Sequence, residues 1–122
     1  MPASLYFDGE LVPPPAFEDA VLRAAGGLDR LGVGEGDVVC LMLRNDPAYL
    51  EVIFGARRLG AYTCPVNWHF KAEEANWILR DSGARVLLAQ PDLLAQIEGG
   101  IPSGVAVVPA GGPRWREWLA AQ

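Results

Sequence analysis

The sequence predicts an α/β fold, a mostly parallel sheet with helices on both faces and an N-terminal β-hairpin at an edge. Three observations carry this prediction. Continuous apolar runs of strand length alternate with segments of helical periodicity. Glycines stand at the junctions between them. Hydrophobic residues make up 51% of the chain and charged residues 20%, enough apolar side chain to cover a sheet on two faces. With 122 residues and ~100–200 residues per domain, the chain holds a single unit, residues 1–122.

Ser4–Phe7 and Glu10–Val12 are β-prone pieces around Asp8-Gly9, a two-residue hairpin signal. Pro13-Pro14-Pro15 stops the second strand, and proline is tolerated in the first helical turn. Phe17, Val21, Leu22, Ala25, Leu28 and Leu31 then form one helical face, opposite Glu18, Asp19, Arg23 and Arg30. Gly26-Gly27 weakens this helix by up to ~1 kcal/mol per glycine, which points to close packing there. Asp37–Leu43 reads as a strand covered on both faces. Asp46-Pro47 starts a helix that runs to Leu59, is apolar nearly all round, and exits at Gly60. Ala61–Val66 reads as a second covered strand, Glu73–Ser82 as a helix ended by Gly83, and Arg85–Ala89 as a strand. Asp92–Glu98 is a short helix, Val105–Val108 a strand, and Arg114–Ala120 a final amphipathic helix whose Trp115 and Trp118 share a face that needs cover.

A net charge of −5 makes nucleic acid and anionic lipid poor partners. No apolar run reaches bilayer length, and the first residues lack the pattern of a secretory leader. Cys40 and Cys64, far apart and with one histidine for company, read as thiols in a reducing cytoplasm rather than a metal site. The glycines of Gly32–Gly36 follow a helix and precede a strand, the reverse of a dinucleotide fingerprint, so they form a turn. A phosphate-binding Gly-x-x-x-x-Gly-Lys run and a Gly-x-Ser-x-Gly elbow do not occur. No residue is assigned as catalytic or metal-ligating.

Asn67-Trp68-His69-Phe70-Lys71 lies just past the carboxyl end of a strand, where ligands of open α/β sheets bind. Its side chains offer hydrogen bonds, a stacking face and a cation. On the residues alone the favoured reading is a packing role, in which Trp68 and Phe70 fasten the next helix to the sheet.

Three ordered stretches resemble the N-terminal part of AMP-forming acyl-CoA synthetases. They are Gly32-Val33 through Asp46-Pro47, Gly55-Ala56-Arg57-Arg58-Leu59-Gly60-Ala61-Tyr62 with Pro65-Val66-Asn67, and Glu73-Glu74 through Val86-Leu87. The resemblance implies the first subdomain of the adenylate-forming fold, a partial domain. In an intact parent it implies a fatty or aromatic acid, ATP with Mg²⁺, and CoA as partners. The products would be acyl-CoA, AMP and pyrophosphate. The signature phosphate loop and catalytic lysine of such enzymes are not in this sequence, so the segment is expected to be inactive alone and to hold no cofactor of its own. By the same resemblance Trp68, His69, Phe70 and Arg85 are candidates for a CoA-facing surface. Lys71 and Ala72 stand where relatives cap the following helix, which costs on the order of 1 kcal/mol relative to a capped start. A stand-alone binding or interaction module that kept the fold without the chemistry is the alternative. Exposed apolar surface on a severed subdomain implies self-association.

Overall fold

A computed structural model describes residues 4–122. A hairpin, β1 (Leu5–Phe7) and β2 (Glu10–Val12), precedes α1 (Pro14–Arg30). Then come β3 (Val38–Met42), α2 (Pro47–Arg58), β4 (Tyr62–Pro65), α3 (Ala72–Ser82), β5 (Val86–Ala89), α4 (Pro91–Ile97), a 3₁₀ turn, β6 (Ala106–Pro109) and α5 (Gly112–Ala120). The last four strands form one parallel sheet in the order β4-β3-β5-β6.

The hairpin departs from expectation. It pairs antiparallel with itself, Tyr6 opposite Leu11, and forms a separate two-stranded sheet rather than an edge of the main one. Its strands are three residues long, and the three prolines that follow supply no N–H to extend a ladder. The turn residues Asp8 and Gly9 both take positive φ, as a two-residue hairpin turn requires.

The strand order puts helices on both faces. The chain steps outward from β3 to β4, crosses back over β3 to β5, and continues to β6. On one face Val39, Leu41, Val86, Leu88 and Val108 pack with α1, α2 and α5. On the other, Cys40, Met42, Leu87 and Ala89 pack with α3 and α4. This alternation within β3 and β5 is the period-2 geometry of a strand buried on both sides.

Three predicted faces need correction. Tyr62–Pro65 is an edge strand with Tyr62 68% exposed, not a covered one. In α2, Leu50 and Phe54 reach solvent, as does Leu22 of α1. The surface of α2 that packs on α1 is instead built from small residues, because a Cβ on Gly55 would press against Ala24 and the Ala25 backbone at 3.0 Å. Gly27 admits the Trp118 ring, and a Cβ there would overlap it, while nothing approaches Gly26. Trp115 and Trp118 stack at 5.0 Å and find their cover in α1 and α2.

Glu51 is buried in this layer and is satisfied by α5. It accepts from Trp115 Nε1 at 2.7 Å and from the Arg116 guanidinium at 2.8 Å. A carboxylate removed from water requires such donors.

Candidate functional site at the carboxyl edge of the sheet

The winding direction reverses between β3 and β5, so their exits diverge, β3 toward α2 and β5 toward α4. Such a divergence opens a crevice beyond the carboxyl ends of the strands. Here the register sets Met42 level with Ala89, which brings Arg44 and Gln90 together. The Arg44 backbone N–H donates to Gln90 Oε1 at 2.9 Å. Gln90 also fills the crevice mouth beneath Gly111, where a Cβ would sit 3.0 Å from its Cγ.

The Arg44 guanidinium bridges outward. Its two terminal nitrogens grip Asp92 at 3.1 and 2.7 Å, a bidentate pair. This holds the Asp92 carboxyl below the usual carboxylate range and raises the arginine. The same guanidinium lies 4.9 Å from the Trp68 ring, and the His69 ring stacks on Trp68 at 3.6 Å. Asp92, Arg44, Trp68 and His69 thus form one tier along the carboxyl edge. Asn67 fixes the loop by accepting the His69 N–H at 2.9 Å.

Next to this tier, Asp46 caps α2 by accepting the Ala48 N–H at 2.9 Å. Between that cap and the hairpin lies a groove of about 540 Å³, lined by residues including Tyr6, Asp46 and Tyr49.

The predicted residues do not gather in one place. Trp68 and His69 join the tier. Phe70 is half-buried against the core under α3, in the fastening role. Arg85 precedes β5 at the opposite, amino edge, where its Nε meets Asp37 at 3.2 Å beside the Gly32–Gly36 turn. Four parallel residues separate the two edges by ~13 Å. Arg44, Gln90 and Asp92 were not among the candidates. The strand-end rule that selects Trp68 selects Arg44 and Gln90 too, since each follows an apolar strand within two residues.

As chemistry, the tier offers recognition. It presents a cation whose charge is already shared with a carboxylate, two stacked ring faces, and an amide. Among the described residues no group of three or more His, Cys, Asp or Glu is placed to hold a metal, and no helix is long and apolar enough to cross a membrane.

The chain is similar to 4-coumarate–CoA ligase 3 of Oryza sativa subsp. japonica, 38% identical over 120 residues, 93% of this chain and 22% of that protein. Among solved structures it is similar to the anthranilate CoA ligase AuaEII in complex with anthranoyl-AMP, with a TM-score of 0.84 and 28% identity, covering 94% of this chain and 23% of that one. It is also similar to a Mycobacterium tuberculosis fatty acyl CoA synthetase, with a TM-score of 0.80 and 26% identity, covering 92% and 23%. The chain thus spans about a fifth of the length of the relatives it matches. The profile described as AMP-binding enzyme matches residues 15–120, from the first turn of α1 to the last of α5. That match, over nearly the whole length of the parallel β4-β3-β5-β6 sheet and its helices, places the chain in the AMP-binding enzyme family, and the relatives named above are acid–CoA ligases.

Proposed function

We propose that this chain is the first subdomain of an AMP-forming acid–CoA ligase and is not catalytic alone. The observation that carries the reading is that the match runs almost end to end through the chain yet fills only 22% of 4-coumarate–CoA ligase 3. In the intact protein a carboxylic acid attacks the α-phosphorus of ATP, pyrophosphate leaves, and the CoA thiol displaces AMP from the acyl-adenylate. The similar proteins are named for coumarate, anthranilate and fatty acyl substrates, which favours an aromatic or fatty acid. Adenylate formation needs fixed donors and cations around the departing phosphates. The single lysine, Lys71, sits exposed at the start of α3 and belongs to no Gly-rich phosphate loop.

The carboxyl-edge tier is the surface we assign to CoA. The ring faces of Trp68 and His69 suit a stacked adenine, and Arg44 with Lys71 suits its phosphates. Phe70 supports the loop from beneath. Arg85 would serve only as a separate contact at the other edge. The soluble protein of a reducing cytoplasm is the setting this reading implies.

The test has two arms. The purified chain, given ATP, Mg²⁺ and coumaric or long-chain fatty acid, should release no pyrophosphate above a blank, and turnover would overturn the subdomain reading. In the intact ligase, Trp68→Ala or His69→Ala should weaken CoA binding while Arg85→Ala has a smaller effect. Unchanged affinity in all three would leave the loop with packing alone.

A further inference from the structure

Cys40 and Cys64, far apart in sequence, face each other across the β3–β4 ladder as direct partners. Opposed residues of parallel strands send their side chains to the same face, and both thiols belong to the layer under α3. Neighbouring strands lie about 4.8 Å apart, which places the Cα atoms of such a pair inside the span a disulfide bridges. Both cysteines are free. Their surroundings differ. Cys40 is fully buried, 3.5 Å from Ser82 Oγ, and burial pushes its thiol up to about 11, with Cys64 adding to the rise. Cys64 sits on the edge strand and is only half-buried, so a solute can reach it.

We propose that Cys64 and Cys40 form a reversible redox pair, in which a peroxide oxidises Cys64 and Cys40 closes an intrachain disulfide between β4 and β3. The Cys64 thiolate attacks a peroxide oxygen, the O–O bond breaks, and the departing hydroxide takes up a proton as water. Cys64 is then a sulfenic acid. The Cys40 sulfur displaces hydroxide from that sulfenic sulfur, and its own proton leaves with the hydroxide as a second water. Two electrons pass from the sulfurs to the peroxide. A dithiol reverses the step by exchange. The bond fixes β4 to β3, and so fixes the loop carrying Trp68 against the strand end carrying Arg44. This inference stands apart from the proposed ligase role, since it rests on the β3–β4 register and the unequal burial of the two thiols.

The folded chain is exposed to a few equivalents of hydrogen peroxide, alkylated, and digested with trypsin without reduction. The expected product is the peptide Leu31–Arg44 joined to Leu59–Lys71, two hydrogens lighter than their sum and separated by dithiothreitol. In Cys64→Ser, a near-isosteric change at a half-buried site, Cys40 should remain a free thiol at the same dose. Oxidation of Cys40 to the same extent in Cys64→Ser would overturn the proposal. So would sulfinic acids without a cross-link, interchain dimers alone, or two thiols still free after prolonged exposure.

Discussion

Adjacent glycines in α1 have opposite surroundings. Gly27 faces the Trp118 ring with no room for a methyl group, whereas Gly26 points to open space. Gly27→Ala should therefore cost about 1–3 kcal/mol through displacement of Trp118. Gly26→Ala should instead add up to ~1 kcal/mol through helix propensity. Urea denaturation of the two variants checks both signs. The sequence marks this pair as a place of close approach but not which residue approaches, because Trp118 arrives only when α5 folds back over α1. Asp92 makes a second case at the same scale. Arg44 holds its carboxyl below the ordinary value of ~3.9. The pair's contribution is therefore present above that ordinary value and is lost as pH falls through the depressed one. Both groups are largely exposed, so screening keeps the contribution small. A carboxyl NMR titration should show Asp92 with a low midpoint that returns to the ordinary range in Arg44→Met. Arg44 and Asp92 escape a reading of the sequence because 48 residues separate them, and only the order of strands joins them. Arg85 shows the reverse. It opens its strand, so the strand-end rule alone does not select it, and only family resemblance brings it forward.

At the scale of elements, the five α-helices among the described residues appear in the sequence within about two residues of their observed ends, because caps, prolines and glycines mark them locally. The α3 start shows what local chemistry leaves undone. Lys71 has the extended backbone of an N-cap but no acceptor to offer. Only the return half of the box is made, the Lys71 N–H donating to Glu74 Oε1 at 3.2 Å. Lys71→Ser should supply the missing acceptor and add ~1 kcal/mol, read as a raised urea midpoint with unchanged slope. Strands are a different matter. Ala61–Val66 and Asp37–Leu43 look alike as apolar runs, yet one is an edge and the other central. That distinction is set by the crossover over β3, a long-range event with no local signature. The hairpin is legible as a hairpin for the same local reasons, and its separation from the main sheet is not.

Across the whole molecule, the four-stranded sheet has two open edges. Val107 of β6 is 41% exposed and Tyr62 of β4 is 68% exposed, while Tyr6 and Leu11 show their side chains on the hairpin. Unpaired strand edges with apolar side chains attract further chains. Light scattering of the isolated chain should show mass rising with concentration, and Val107→Lys should reduce the rise. A monomer throughout the concentration series would refute this. The α/β class and the family were readable because they rest on periodicity and on ordered local stretches. The polar tier was half readable, since the loop obeys a rule about strand ends while its partners depend on which strands are neighbours.

The clasp on Glu51 has a consequence for synthesis. Its donors, Trp115 and Arg116, lie 64 and 65 residues downstream, in α5. Until residues 112–120 clear the exit tunnel, docking α1 and α2 on the sheet would strand a negative charge in an apolar layer. The nascent polypeptide therefore completes this side of its sheet only after the translation of α5, whereas the layer under α3 and α4 draws nothing from α5.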